Sequence, residues 1–176
     1  MLKIIGIVIV ILIIVFVIFV STRPAHFQYE RSGIINASVD KIFPYLSTFE
    51  GGHKWSPYER MDPNMKTKII GPDGQVGTVM EFEGNRDAGS GKLEFLKITA
   101  PTEVNLKLTM IKPFPAENLI VYHLSANEGG GTKFTWSMSG DNGFLGKMMV
   151  VFIDCEKLIG GQMEQGIKNL KEVVEK

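Results

Sequence analysis

The residues that could do acid–base, nucleophilic or metal chemistry are few and scattered in this sequence. The histidines at positions 26, 53 and 123 lack the spacing of a zinc site, and no local carboxylate pair completes a ligand set. Cys155 is the only cysteine, so neither an intrachain disulfide nor a thiolate metal cluster can form. We therefore expect no metal site. His53, close to Trp55, is a candidate polar group that orients a ligand by hydrogen bonding.

A glycine-rich segment at 84–92 has some features of a phosphate-binding loop. A P-loop needs a glycine where Arg86 stands and a Ser or Thr where Leu93 stands, so the match fails. A Gly-x-Ser-x-Gly nucleophile motif is also absent from the sequence. We expect a loop between two strands here, with no cofactor and no nucleotide.

Carboxylates are the remaining candidates for catalysis. Glu81 and Glu83 share one face of a strand, opposite Met80 and Phe82, so alternation predicts that they face solvent. If Glu81, Glu83 or Asp154 faced an apolar interior instead, desolvation would raise its pKa and make it a candidate general acid or base. The sequence identifies no catalytic residue and favours a binding protein over an enzyme.

A surplus of apolar and aromatic side chains on alternating strand positions is the more informative feature. These residues line one face of each predicted strand and face the apolar stripe of a C-terminal helix. They either fill a solid core or line a cavity. Flexible methionines and the polar atoms of Tyr122 and Trp136 favour a cavity. The candidate lining residues are Trp55, Tyr58, Met80, Phe82, Leu106, Leu108, Met110, Tyr122, Phe134, Trp136, Met163 and Ile167.

The elements that position these residues follow from turn signals and periodicity. A strand over 27–36 leads, after Ser38 as N-cap, into two short helices. Six strands in antiparallel hairpins follow, and a long helix is predicted from Phe144 onward. The pattern predicts an α+β domain whose curved sheet packs around the final helix.

The amino terminus differs from the rest of the chain. Between Ile4 and Val20 every residue except Gly6 is Ile, Val, Leu or Phe, which is close to the length needed to span a bilayer. The stretch is longer than a signal-peptide core and lacks a convincing cleavage site, so an uncleaved anchor is favoured over a cleaved signal. We expect an anchor over 1–22, with membrane contact through 2–20, and a domain over 23–176. The flanking charges nearly balance and lean towards a domain outside the cytoplasm.

Composition sets limits on the function of that domain. Nineteen basic and nineteen acidic residues balance over the whole chain, which argues against electrostatic binding to nucleic acid. Without the anchor, 154 residues remain, with 18 bases and 19 acids. That length suffices for a single hydrophobic core.

Several ordered motifs resemble the SRPBCC superfamily, the START and pollen-allergen-like proteins that include polyketide cyclases and dehydrases. The resemblance covers the chain after His26. One departure is Phe82, where many close relatives have Trp. The motifs are Arg31-Ser32-Gly33-Ile34-Ile35-Asn36-Ala37, Lys54-Trp55-Ser56-Pro57, Asp62-Pro63, Gly74-x-x-Gly77, Gly131-Thr132-Lys133-Phe134-Thr135-Trp136 and Gly166-Ile167-Lys168-Asn169-Leu170-Lys171.

The resemblance implies a helix-grip fold, in which a seven-stranded antiparallel sheet surrounds a long C-terminal helix and an apolar cavity. It implies binding of a small hydrophobic or amphipathic ligand that is lipid-, sterol- or polyketide-like. Two alternatives stay open, because a fold does not determine a function. One is a cyclase, dehydrase or hydrolase that uses the same cavity. The other is a non-catalytic stress-response or interaction module with an exposed apolar patch.

Overall fold

The computed structural model describes residues 2–176 as seven strands and six helices. The order is helix, strand, three short helices, six strands and two helices. The helices are α1 (Leu2–Ser21), α2 (Val39–Ser47), α3 (Phe49–His53), α4 (Pro57–Met61), α5 (Phe144–Phe152) and α6 (Cys155–Val174). The strands are β1 (His26–Ile35), β2 (Lys66–Ile70), β3 (Val79–Glu83), β4 (Ser90–Thr99), β5 (Glu103–Lys112), β6 (Ala116–Ala126) and β7 (Thr132–Asp141).

All seven strands form one antiparallel sheet in the order β1-β7-β6-β5-β4-β3-β2. The first strand therefore pairs with the last, with Ile35 opposite Thr132, and the other pairings join strands consecutive in sequence. Irregularities in the β4–β5 register help the sheet to curve. The predicted α+β helix-grip fold is confirmed.

Alternation along the strands separates an inner face, which packs against α6, from an outer face in solvent. On β7, Phe134 and Trp136 are buried, whereas Lys133 is exposed and Thr135 between the two rings is half-buried. The buried stripe of α6 meets this face with Met163 and Leu170. The apolar core thus lies between the sheet and α6, as the alternation predicts.

One end of the sheet lies next to α1, and we call it the anchor end. β1 begins there at His26, which is paired with Asp141 at the end of β7. The β5–β6 turn reaches the same end, where Met110 pairs with Ala116. α6 also begins there, because its Glu164 contacts Arg31 near the middle of β1 and its last turn reaches the opposite, far end.

The short-helix region contains three helices where the sequence predicts two. Thr48 ends α2 and starts α3, since its backbone is extended and its hydroxyl oxygen accepts a hydrogen bond from Gly51 N at 3.0 Å. Pro57 then begins α4 at a position where proline loses no helical hydrogen bond. The extra helix therefore arises from an N-cap and a proline that lie close together in sequence.

The predicted long C-terminal helix is also divided. Ile153 has extended backbone angles and ends α5, and Asp154 caps α6 by accepting a hydrogen bond from Lys157 N at 3.0 Å. Periodicity alone gave one helix because apolar residues continue through the break. The correction matters because it separates α5 from the sheet, and none of its residues is buried.

The amino-terminal helix α1 is apolar and long enough to cross a membrane over Lys3–Ser21. Its side chains are exposed along nearly the whole length, with Val20 the buried exception among those described. Its last turns contact α5. A helix of this composition is typical of a membrane anchor or a signal sequence.

Candidate functional site

Four aromatic rings from three parts of the chain meet between the sheet and α6. Trp55 comes from the short-helix region, Tyr122 from β6, and Phe134 and Trp136 from β7. The ring centroid of Trp55 lies 5.6 Å from that of Tyr122, 6.0 Å from that of Phe134 and 5.5 Å from that of Trp136. All three pairs meet edge to face, an arrangement that aromatic quadrupoles favour. We call these residues the aromatic cluster.

Trp55 is held in the aromatic cluster from both sides. Its indole Nε1 donates a hydrogen bond of 2.8 Å to the carbonyl of Tyr45 on α2. Its own carbonyl accepts a hydrogen bond of 3.0 Å from Nδ2 of Asn169 on α6. The side-chain oxygen of Asn169, which is fully buried, accepts hydrogen bonds from Arg60 and Gln165. This network fixes the short helices against α6.

Gly166 lets α6 approach the cluster closely. A Cβ atom at this position would stand 2.6 Å from Cζ3 of Trp136, and 3.2 Å from Cδ of Pro57. Those distances are too short for any side chain without displacement of the indole or the helix. The glycine is therefore a packing requirement of the site.

Trp136 carries an unpaired donor inside the cluster. The residue is 4% exposed, and its Nε1 has no hydrogen-bond partner among residues 2–176. Cζ3 and Nε1 belong to opposite edges of the indole, so the edge with the donor is the one away from Gly166. A buried N–H without a partner costs free energy, and such groups are rare in native interiors.

Two phenols lie deep in this region, that of Tyr122 within the cluster and that of Tyr58 next to it. Burial raises the pKa of Tyr122 far above its ordinary value, and the neighbouring Tyr58 adds to that rise. Burial also raises the pKa of Tyr58. Both groups are therefore protonated at neutral pH and able to donate a hydrogen bond. Both residues nevertheless keep some accessible surface.

The inner face opens towards the anchor end. On β5, Val104 and Leu106 are 0% and 3% exposed, whereas Leu108 and Met110 further along are only half-buried. β6 shows the same trend, because Leu124 is buried while Asn118 near its start is half-buried. The interior is thus closed at the far end and accessible at the anchor end.

A charged group borders this opening between β1 and α6. Arg31 lies opposite Trp136 in the β1–β7 register, and its Nε donates to Glu164 at 2.8 Å. Its Nη2 also lies 3.7 Å from Glu156. Arg31 is not among the lining residues predicted from the sequence, although alternation with Ile35 on β1 places it on the inner face.

The other predicted lining residues are distributed along the same interior. Met80, Met163 and Ile167 are buried, and Phe82 is half-buried. Of the twelve proposed lining residues, all belong to the core or pack against it except Phe82 and Met110, which lie nearer the anchor end.

His53 occupies a different position from the aromatic cluster. Its Nδ1 is paired with the carboxylate of Glu59, and both side chains are largely buried. This hydrogen bond is the main reason that the pKa of His53 is raised, with Asp73 and Glu50 adding to the rise. The structure therefore gives His53 a carboxylate partner within the short-helix region.

The carboxylates considered for catalysis lie outside the aromatic cluster. Glu81 faces solvent and pairs with Lys92 at 2.8 Å, which lowers its pKa. Glu83 is exposed, and Asp154 caps α6. Within residues 2–176, the structure brings together no group of three or more His, Cys, Asp or Glu side chains able to hold a metal ion.

A groove of about 520 Å³ lies between β1 and α6, with Gly33 and the edge of Ile167 in its wall. Its wall includes Lys168, Lys171, Glu172 and Glu175, so it is charged and open to solvent. Such a surface does not suit an apolar ligand. The aromatic cluster is the better candidate site.

Comparison with known families agrees with this geometry. The sequence profile of the family described as polyketide cyclase / dehydrase and lipid transport matches residues 26–175. The chain belongs to this family. The match covers every strand and every helix except α1, and it confirms the resemblance to the SRPBCC superfamily.

Solved structures share the fold of this polyketide cyclase / dehydrase and lipid transport domain. A protein of unknown function from Staphylococcus aureus is 13% identical with a TM-score of 0.64, and the alignment covers 88% of this chain and 96% of that one. Major latex-like protein 151 from Panax ginseng is 14% identical with a TM-score of 0.59, covering 86% and 99%. At these identities the likeness concerns the fold.

A third neighbour carries an activity in its name. The di-domain ARO/CYC protein BexL of the BE-7585A biosynthetic pathway is 10% identical with a TM-score of 0.61. The alignment covers 89% of this chain and 52% of that one. The comparison with curated proteins gives no match.

Proposed function

We propose that this domain binds a small, mainly apolar molecule between the sheet and α6, next to the aromatic cluster. The observation that carries the proposal is the unpaired Nε1 of Trp136 in a buried, apolar surrounding. A ligand with a carbonyl, ether or hydroxyl oxygen would satisfy this donor. The remainder of the ligand would be held by apolar area removed from water, at about 25 cal/mol per Å².

The neighbouring phenols support an uncharged polar group on the ligand. Tyr58 and Tyr122 stay protonated because burial raises their pKa values, so together with Trp136 they offer neutral donors. The cluster itself contains no cation to neutralise a carboxylate or phosphate, and Arg31 at the opening is already paired with Glu164. An amphipathic neutral lipid, sterol or polyketide fits this chemistry better than a strongly charged ligand.

We further propose that α1 remains on the mature protein and tethers the domain to a membrane, with the domain outside the cytoplasm. The anchor end, where the interior is accessible, is also the end that adjoins α1. A tether at this end would hold the opening near the lipid phase, where apolar molecules concentrate. This arrangement supports the ligand class given above.

The experiment is native mass spectrometry and lipid extraction on the full chain, purified from membranes of its own host. We expect a co-purifying molecule in stoichiometric amount with the native sequence. Trp136→Phe should lower its occupancy strongly, because the ring stays and the donor is lost. Trp55→Phe is the matched control, since that indole donor is already satisfied by Tyr45. Equal occupancy in all three proteins, or none in the native chain, would contradict the proposal.

A second candidate is an enzyme of the cyclase or dehydrase kind, which the family description and the name of BexL favour. Such an enzyme needs an ionisable group within about 3 Å of the reacting atom. Tyr122 is the best placed group, and its raised pKa keeps the phenol protonated, so it can polarise a substrate oxygen by hydrogen bonding. The test compares the molecules extracted from the native protein and from Tyr122→Phe. A change in their mass, or in their fragmentation at constant mass, indicates catalysis, whereas one unchanged molecule indicates binding alone.

A further inference from the structure

The short helix α5 is unusual because it is apolar and yet buries no side chain. Seven of its nine residues are apolar, and the two others are Gly146 and Lys147. Phe144 and Leu145 are each 49% exposed, and Phe152 is 72% exposed. Within a water-soluble surface, such a helix would leave a contiguous apolar patch in contact with solvent.

The main contacts of α5 are with α1. Lys147 Nζ donates a hydrogen bond of 3.2 Å to the carbonyl of Ser21, the last residue of α1. Further along α5, the ring centroid of Phe152 lies 6.1 Å from that of Phe16. The two helices therefore run antiparallel over this stretch, and α5 turns back along α1.

These two contacts show how far the end of α5 extends along the apolar span of α1. Phe16 precedes Ser21 by five positions, which is about 7.5 Å along a helix that rises about 1.5 Å per residue. Phe152, next to Phe16, lies at the same level of the apolar span. A helix that lies in a membrane interface reaches about 5–10 Å into the boundary between headgroups and acyl chains.

Other exposed apolar residues lie at the same end of the domain. Ile111 near the end of β5 and Phe114 in the β5–β6 turn lie at the anchor end, and are 52% and 44% exposed. Ile153 and Leu158, on either side of the α5–α6 junction, are 42% and 58% exposed. The chain then turns at Asp154, whose carboxylate is occupied in capping α6.

We propose that α5, the β5–β6 turn and the α5–α6 junction form an interfacial surface that is seated in a lipid bilayer. The inference rests on the proposed tethering by α1 and adds a second membrane contact, made by the folded domain itself. Two contacts fix the orientation of the domain, whereas a single helix followed by a short linker leaves it free to tilt. The opening of the interior then faces the bilayer, and the ligand enters from the lipid phase without crossing water.

The bilayer is favoured over a protein partner by the continuity between α5 and α1. The interfacial surface begins where α1 leaves the apolar span, and Phe152 is level with a residue inside that span. A soluble protein that bound Phe152 would have to occupy the same depth as the lipids around α1. Binding of a protein partner to this surface is therefore an alternative outcome of the test below.

The test uses the full chain with Cys155→Ala, reconstituted into phosphatidylcholine vesicles. Single cysteines replace Phe152, Val10 or Val76, and each carries an environment-sensitive fluorophore. Val10 reports on α1, and Val76, 61% exposed in the β2–β3 hairpin at the far end, is the matched apolar control. Part of the lipid carries a doxyl quencher near the top of the acyl chain. All variants change exposed side chains, and their thermal unfolding is compared to verify the fold.

We expect quenching and a blue-shifted emission at position 152 and neither at position 76. The label at position 10 should be blue-shifted and quenched when the doxyl group lies deeper in the chain. A quenched label at 10 with an unquenched label at 152 would overturn the interfacial surface and leave the tether intact. That result would indicate a protein partner if the label at 152 became protected only after addition of host extract. An unquenched label at 10 would overturn both. Ligand occupancy, measured by mass spectrometry on the same preparations, reports separately on the proposed binding.

Discussion

The buried amide of Asn169 on α6 donates a hydrogen bond of 3.0 Å to the backbone carbonyl of Trp55, which lies 114 residues earlier in the chain. Through this bond the C-terminal helix holds the loop that supplies the first ring of the aromatic cluster. The side-chain oxygen of Asn169 also accepts hydrogen bonds from Arg60 at 2.7 Å and from Gln165 at 2.9 Å. One side chain therefore connects three segments around the candidate site.

Replacing Asn169 by Ala should destabilise the protein. The change leaves the carbonyl of Trp55 without its donor and removes the acceptor for Arg60, which costs roughly 1–3 kcal/mol of unfolding free energy. Denaturant unfolding of the full chain in one detergent measures the loss. Gln165→Ala is the control, because it removes a single hydrogen bond at an exposed residue. Equal losses in the two variants would contradict the central role of Asn169.

Replacing Gly166 by Ala should also destabilise the protein. The added Cβ would stand 2.6 Å from the indole of Trp136, and relieving such overpacking costs about 1–3 kcal/mol. Gly161→Ala on the same helix is the control, since no atom lies within 4 Å of a Cβ there. Alanine should stabilise α6 at that position by up to about 1 kcal/mol. Melting temperatures that move in opposite directions are the expected result, and a rise in both would refute the close approach at Gly166.

Removing the unpaired donor of Trp136 should cost the ligand-free protein less than removing the paired donor of Trp55. Trp136→Phe loses ring volume and also eliminates a buried N–H that has no partner. Trp55→Phe loses the same volume and leaves the carbonyl of Tyr45 unsatisfied, at an additional cost of roughly 1–3 kcal/mol. Unfolding free energies measured after delipidation test the difference. A larger loss for Trp136→Phe would show that its donor is paired in solution.

The pair formed by His53 and Glu59 should make stability depend on pH. Its hydrogen bond is the main cause of the raised pKa of His53 in the folded protein. The stabilisation is complete below the ordinary histidine pKa of 6.5 and is lost as the pH rises through the higher folded value. We expect the denaturation midpoint to fall as the pH rises above 6.5, the ordinary value at which an unperturbed histidine loses its proton.

Glu59→Gln supplies the control for this pH dependence. Without the carboxylate, the pKa of His53 should move towards its ordinary value, and the fall in midpoint with pH should become shallower. The effect is modest because both side chains retain some contact with water. Parallel curves for the two proteins would assign the pH dependence to other groups.

The sequence predicts the strands and the inner face well because alternation is a local property. Leu106 and Phe134 could be assigned to the interior from their neighbours alone, and the structure buries both. Arg31 was missed because a charge at an inner position goes against the pattern that identifies such positions. Its ion pair with Glu164 depends on an approach of β1 and α6 that no local signal records.

Two further features could not be predicted from local sequence patterns. The break at Asp154 carried an N-cap signal, but the apolar residues on both sides continued the helical pattern and obscured it. The role of Asn169 does not follow from the motif that contains it, because its partner Trp55 is distant in sequence. Contacts between distant segments determine the site, whereas local periodicity determines the elements that carry it.

The most direct test of the account is to locate the bound molecule. A phosphatidylcholine and a long-chain fatty alcohol, each bearing a diazirine in its apolar chain, would be photolysed in vesicles that contain the full-length protein, and the adducts mapped by peptide mass spectrometry. We predict that one of them labels inner-face residues of β5, β6 and β7 and the buried stripe of α6, and that excess unlabelled lipid suppresses this labelling. Adducts confined to α1 and the interfacial surface, with none between the sheet and α6 for either probe, would contradict the proposed binding site.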